Sequence, residues 1–550
     1  MKRRIICLIL TMSMLLSLLP AQALTTTPLP LSSEIWNGSI AAAFAGGNGS
    51  ETDPFQISNG AELAYFAELV NTGKKTNGYY ILTQDIYLND ISNFNDWSFN
   101  PPANKWTPIG SRISNDYSYW FEGNFDGNGY GIYGAYINKE DLSPMGLFGT
   151  VSKATISNLN VIDCYFTGTN CIGGIAGISK KTLFYNCYSR CLLQGDGALG
   201  GIVGADDRGT FRYCCNEGDI TATIDGAGGI VGFSHGEASN FSTGTIQYCY
   251  NSGDITGVSG VGGITGAASY ISDCYNTGTV TLHSRSAGGI AGTLTAIAET
   301  GNNYIDRCYN AGKLLCTNSN GDPEEIKIGA LIGNREVNAQ LSNSYYLDTT
   351  AEYDIGLGGW YRPSNKNALT DAEMRDPNNF IGFDFTSVWY IDKNSDYPYP
   401  QLAFPDETRR YAILSVADVT TNDPITDFTV NLDSSNGLVY TKVDGIHYII
   451  GNGSAFDSNT AIEIHADGYE PFLFDSQDLK NSISLRYAPN NVLYLSPVGS
   501  DSSALDELKQ TYILAHKQFY QNEYSDLCKI TVLKMHYGNM IMVKVFIWQL

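Results

Sequence analysis

Zinc-dependent hydrolysis takes two histidines one helical turn apart with a glutamate between them, and one form of nucleophilic hydrolysis takes a serine in a G-x-S-x-G elbow. The six histidines, His235, His283, His447, His465, His516 and His536, form no H-E-x-x-H pair, and neither the elbow nor a phosphate-cradling loop occurs. His235 and His283 fall in loops of a repeat, where an exposed imidazole needs no special role. Glycoside hydrolysis takes two facing carboxylates at a set separation. The best acidic cluster is Asp206-Asp207-Arg208, but no paired acidic column recurs, and the base that a lyase needs beside its acids is scarce because Lys and Arg are sparse in the repeats. Asp126 stands in Asp-Gly-Asn-Gly, a stretch that suits calcium and equally suits a tight turn. These residues assign no catalytic, cofactor-binding or metal-binding group, and the chain reads as non-enzymatic.

What the sequence repeats is a Cys-Tyr pair. Cys164-Tyr165, Cys187-Tyr188, Cys249-Tyr250-Asn251, Cys274-Tyr275-Asn276 and Cys308-Tyr309-Asn310 share a spacing with Cys214-Cys215-Asn216, and Ser344-Tyr345 closes the series. An apolar residue stands three before the Cys, as in Phe184/Cys187, Phe211/Cys214 and Ile271/Cys274. In a flat strand an odd spacing puts two residues on opposite faces. Either the Cys points outward or a bend turns both inward; the turn formers Asn186, Asp273 and Asp306 lie between the two, so the bend is expected. With Cys inward, Tyr188, Tyr250, Tyr275 and Tyr309 face outward as an aromatic row, able to stack on sugar rings or anchor a protein. Packing under loops, or shielding the backbone ladder, is the alternative. Stacked cysteines point the same way, which is poor disulfide geometry, so they read as small apolar core groups rather than a redox or metal ladder. Cys171, Cys191, Cys215 and Cys316 lie off the column and are better placed for disulfides.

The elements that carry these residues are set by a second repeat. A double glycine followed by Ile recurs with its second Gly at 174, 201, 229, 263 and 289, at gaps of 27, 28, 34 and 26; a degenerate copy begins at Gly329 and an opening one at Gly146. A period in the twenties marks a solenoid whose units bury their apolar faces against each other. Each unit holds about three short alternating runs, and no proline stands between Pro144 and Pro323, which suits uninterrupted ladders. The pattern predicts one coil of a parallel β-helix per unit, with Ile175, Ile202, Ile230, Ile264 and Ile290 inward, an asparagine ladder at one corner and glycines at tight corners. Insertions at 233–245 and 293–304 should leave as surface loops.

The flanks complete the architecture. Ser58–Gly73 predicts a capping helix, with Asn59 as N-cap, Glu62 at N3, Leu63, Phe66, Ala67 and Val70 on one face, and Gly73 ending it. "DPFQISNGAELAYFAELVN", "YYILTQDIYL", "WTPIG" (106–110), "FEGNFDGNGYGIYGAYI" (121–137) and the glycine repeats resemble bacterial surface proteins with GLUG motifs, which also occur in the non-catalytic region of immunoglobulin-A-cleaving metallopeptidases. The resemblance covers about residues 34–404 and ends with "FDFTSVWYIDKNSDYPYPQL". It implies a right-handed parallel β-helix, an extracellular or cell-surface location and a role in adhesion or display, and supplies no catalytic residue. The expected division is a signal peptide at 1–23, cap and first coils at 34–115, repeats at 116–347 and a closing segment at 348–404. A small β-sandwich of the carboxypeptidase-regulatory or immunoglobulin-like kind should follow at 408–487, on the alternation of Phe428–Leu432 and the turn at Asp444-Gly445. Residues 488–550 read as an incomplete or truncated module, in which "VLYLSPVGSDSS" resembles the opening of another β-helix.

Lys2, Arg3 and Arg4, the apolar Ile5–Leu19 and the Ala21-Gln22-Ala23 cleavage pattern form the leader, whose removal takes the net charge from −23 to −26. So acidic a chain repels nucleic acid and anionic lipid. No second run is long enough to span a bilayer. The sequence therefore predicts a secreted or surface-associated, monomeric scaffold that binds host protein or glycan and takes no cofactor. The alternatives are a carbohydrate-active β-helix enzyme, either polysaccharide lyase or glycosidase, and the non-catalytic fragment of a larger surface metallopeptidase.

Overall fold

The computed structural model describes residues 35–110, 119–138, 143–234, 244–268, 270–294, 304–317, 326–335, 340–350, 367–391, 397–432, 434–443, 445–484 and 488–499, and the backbone alone of 528–537 and 540–549. The leader, the middle of each insertion and residues 500–527 lie outside the described residues.

The repeats wind about one axis as a parallel β-helix with three sheets along its length. One sheet holds the short runs before each Cys, among them Leu183–Tyr185, Thr210–Arg212 and Tyr270–Ser272. The second holds the strands that begin at the Tyr position, and the third holds those after the double glycine. In the third, Ala176, Val203, Val231, Thr265 and Ala291 are successive parallel partners, in step with the glycine spacing. In the degenerate copy Gly329 pairs with Gly288, the first glycine of its doublet, so Ala330 occupies the place of the second.

The core is a set of columns. Ile175, Ile202, Ile230, Ile264 and Ile290 are fully buried, as are Cys164, Cys214, Cys249, Cys274 and Cys308, with Cys187 at 1% exposure. The expected bend is present: Asn186, Tyr213, Tyr248, Asp273 and Arg307, each just before its Cys, have φ between 51° and 56°. In the last of these units Arg307 turns the chain, not Asp306. A left-handed backbone costs a side-chain-bearing residue roughly 1–2 kcal/mol. Stacking of Tyr213 on Tyr248, with centroids 5.0 Å apart, and the two hydrogen bonds from Arg307 to Asp273, at 2.7 and 2.8 Å, offset that cost.

Glycine does a different job from the one corner conformation would give it. The double glycines are absent from the positive-φ positions; close approach is what requires them. A Cβ on Gly229 would lie 2.3 Å from the Gly263 carbonyl oxygen and 2.4 Å from the Asn251 side chain. That asparagine belongs to a ladder in which the Nδ2 of Asn216, Asn251 and Asn276 donates to the Oδ1 of the next asparagine at 2.8 Å, ending at Asn310. Each Nδ2 also donates to the carbonyl of the glycine two residues on, so a buried amide is satisfied without water.

The N-terminal end is closed by the helix Gly60–Asn71. Asn59 Oδ1 accepts from the Glu62 amide, and the Glu62 carboxylate reaches back to the Ser58 amide and hydroxyl rather than to Asn59. Leu63, Phe66, Ala67 and Val70 are buried on the coil end. Past Pro405 a five-stranded sheet around Arg409–Asp418 faces a three-stranded sheet of Thr429–Leu432, Ala461–His465 and Phe472–Asp475. Leu414, Val416, Val430, Ile449, Ile462 and Ile464 fill the space between, which makes a β-sandwich. Its extent corrects the sequence reading. Asn490–Leu495, read as the start of another module, is a strand of this sandwich, parallel to Ile413–Asp418, with Leu493 and Leu495 in its core. Cys528–Tyr537 and Met540–Gln549 pair as an antiparallel hairpin.

Candidate functional site

The tyrosine row points out of the coil, as the inward cysteines require, and it is not open to solvent. Tyr250, Tyr275 and Tyr309 are register partners with ring centroids 5.1 Å apart, and Tyr188 joins them through Cys215, which takes the Tyr place in its coil. Their exposures are 5% for Tyr188, 3% for Tyr250, 7% for Tyr275 and 0% for Tyr309. The cover comes from far along the chain. Phe404 meets Tyr250, Trp389 meets Tyr275 and Tyr309, and Phe380 meets Tyr309. Tyr309 Oη bonds to Tyr397 Oη at 2.8 Å and donates to the Pro400 carbonyl. Tyr188 and Tyr250 both donate to Glu217, at 2.6 and 2.9 Å. Burial pushes all four phenols well above their ordinary range. As an open ligand row these residues are therefore corrected: Tyr250, Tyr275 and Tyr309 form the seam between the coils and the closing segment, and Tyr188 is buried in the same cluster beside the sandwich.

The sandwich is sealed to the same wall. Arg409 makes a bidentate pair with Asp85 of the first coils, at 2.7 and 2.8 Å, and Thr408 Oγ1 donates to Asn186 Oδ1 at 2.7 Å. Tyr411 belongs to the same buried cluster as Tyr87, Tyr133 and Tyr188. Arg190 and Asp163 pair across neighbouring coils at 3.0 and 2.8 Å, almost fully buried.

The remaining chemistry-bearing residues have local partners. Asp206 is 2% exposed and accepts from Ser179 Oγ and the Gly209 amide; burial raises its pKa to about 6. Burial pushes the carboxyl of Asp207, beside it, upward, but the hydrogen bonds and charges of Arg208 and Lys180 together outweigh that and hold it below the usual range. Asp126 Oδ1 accepts from the Asn128 amide and Asn158 Nδ2, the bonding of a turn. His447 is sandwiched on Phe428 at 3.7 Å and bonded to Tyr440 at 2.8 Å, and burial lowers its pKa to about 4. His283 is exposed beside Thr317, and His465 pairs with Glu463. His235, His516 and the side chain of His536 lie outside the described residues. The ten described cysteines are free thiols, including the four expected to suit disulfides: Cys191 and Cys215 are buried, Cys171 is partly buried and Cys316 exposed. Among the described residues no cluster of three His, Cys, Asp or Glu could hold a metal ion.

The open feature missed by the sequence reading lies at the cap. Phe44, Phe55, Tyr65, Leu69, Lys74 and Lys75 line a cleft of about 370 Å³ with the Gly46-Gly47 backbone. Phe44 packs 4.6 Å from Phe55 and 5.1 Å from Tyr65, and Phe44, Phe55 and Tyr65 are all half-buried. Lys75 Nζ lies 4.1 Å above the Phe55 ring. The helix terminus sets the lysines: Gly73, at φ 67°, donates to Val70 O, and the Lys75 amide donates to Leu69 O. The only local signal is Lys74-Lys75 directly after the helix-ending glycine; Phe44 arrives from a segment with no pattern.

No family model matches the chain. A protein of Evansella cellulosilytica provisionally named a Gly-rich membrane protein is 32% identical over 127 residues, 23% of this chain and 13% of that protein. Halomucin of Haloquadratum walsbyi is 30% identical over 148 residues, 27% of this chain and 2% of that protein. The chain thus spans a small part of the curated relatives it matches. A crystal structure from Bacteroides ovatus, provisionally named an immunoglobulin A1 protease, superposes with a TM-score of 0.43 at 19% identity, over 66% of this chain and 96% of that one. Among the described residues no helix is long and apolar enough to cross a membrane.

Proposed function

We propose that the chain is exported and serves as a non-enzymatic adhesion or display scaffold at the cell surface, with host protein or glycan as its partner. The observation that carries this reading is the seam. The recurring Tyr row is used to fix the closing segment to the coils, and Arg409 fixes the sandwich to the first coils. Side chains ordered at this expense make a stiff body, and a stiff body suits holding something at a distance. The basic start, apolar run and cleavage pattern at residues 1–23 support export. The GLUG-type resemblance and the naming of one relative as a membrane protein support a surface location.

A membrane-impermeant amine reagent on intact cells tests the location. The reading expects labelling of the exposed Lys74 and Lys153 before lysis, and loss of attachment to host-derived surfaces when the gene is deleted. Labelling only after lysis contradicts it, and turnover of a polysaccharide by the purified chain contradicts its non-enzymatic half.

A further inference from the structure

We infer that the cap cleft is a binding subsite for a carboxylate-bearing sugar, the uronic-acid class of acidic glycan. This deepens the display reading by naming a ligand class, and it rests on that reading only for the presence of glycan outside the cell.

Three features of the cleft point to that chemistry. Its volume of about 370 Å³ is at the lower end of the range of small-molecule sites, suited to one or two rings rather than a folded partner. Phe44, Phe55 and Tyr65 bring half-buried aromatic rings to its lining. A pyranose presents a C–H face that packs on such rings while its hydroxyls stay wet. Lys74 and Lys75 then supply positive charge at the rim. Neither has an acidic group within ion-pair distance among the described residues, although Asp and Glu outnumber Lys and Arg by 56 to 33 in the whole chain.

Charge complementarity decides between ligand classes. A neutral sugar would use the rings and bring no counter-charge to Lys74 and Lys75. An acidic peptide would meet the charge, but an extended chain has no flat ring to lay on Phe44 and Tyr65. A uronate satisfies both at once, its carboxylate on the lysines and its ring on the aromatics. Lys75 is held by two contacts, its backbone amide on Leu69 O and its ammonium over Phe55, so little side-chain freedom remains to be lost on binding.

The test is calorimetric titration of the purified full chain with a galacturonate trimer, the neutral cellotriose and a glutamate-rich peptide. The galacturonate trimer should bind at least about tenfold more tightly than either of the others, and added salt should weaken it. The K74Q/K75Q double variant removes the lysine charge and the Lys75–Phe55 contact, so its melting temperature should fall by no more than a few degrees while the preference for the acidic sugar disappears. Tyr65→Ala should weaken acidic and neutral sugars together. Absence of galacturonate binding, equal binding of cellotriose or of the peptide, or an unchanged preference in K74Q/K75Q overturns the inference. Surface labelling of intact cells is independent of all these outcomes, so failure here leaves the location test to stand or fall by itself.

Discussion

Tyr275 stands between two rings stacked at 5.1 Å and beneath Trp389, with 7% of its surface exposed. Truncating a large buried aromatic costs about 3–5 kcal/mol, so Tyr275→Ala should lower the denaturant unfolding energy by that amount. A ligand-facing tyrosine would leave stability within about 0.5 kcal/mol of the parent. Asp206 makes a pH prediction. Its pKa is raised by burial from 3.8 to about 6, so the folded chain keeps a proton that the unfolded chain releases. The stability this contributes is fully present below about pH 4 and is lost as pH rises through about 6, a change of roughly 3 kcal/mol for two pKa units. Asp206→Asn can still accept from Ser179 and Gly209, and its unfolding midpoint should lack the fall between pH 4 and 7 that the parent shows. Equal pH profiles for the two proteins would remove the buried carboxyl from the account.

The strands impose their own tolerances. Gly229→Ala places a Cβ 2.3 Å from the Gly263 carbonyl oxygen, so neighbouring coils must separate and the asparagine ladder must shift. Overpacking of this kind costs about 1–3 kcal/mol, readable as a lowered denaturation midpoint with raised amide exchange at Gly263 and Asn251. Arg409→Met leaves Asp85 unpaired under the sandwich and should cost about 3 kcal/mol, with faster exchange in Arg409–Asp418 and Gly131–Tyr133 together. At this scale the sequence was most legible. The glycine spacing predicted the register of the third sheet, the turn former Asn186 between Phe184 and Cys187 predicted the bend, and Asn216, Asn251, Asn276 and Asn310 do form the ladder. Those features are periodic because each coil meets its neighbours in the same way. The cover over the tyrosines was not legible, because Trp389 and Phe404 are more than a hundred residues from Tyr275 and occur once. Asn490–Leu495 was misplaced for a related reason: a strand that joins its sheet in parallel carries no hairpin signal to tie it to Arg409–Asp418. The cap cleft joins Phe44, Phe55 and Lys75 from three segments and left no spacing to read.

As a whole molecule the chain is a parallel coil stack with a helix on its N-terminal end, and a closing segment and sandwich along one wall. The repeat-encoded side chains face the coil interior or that wall, while at the cap cleft Phe44, Phe55 and Tyr65 meet Lys74 and Lys75 at the surface. The central claim is that the tyrosine row is internal structure, and tyrosine nitration read by peptide mass spectrometry tests it on the native protein. The account predicts that Tyr188, Tyr250, Tyr275 and Tyr309 stay unmodified while Tyr390, 45% exposed, reacts, and that the four become reactive only in denaturant. Nitration of the four at the rate of Tyr390 under native conditions would contradict it.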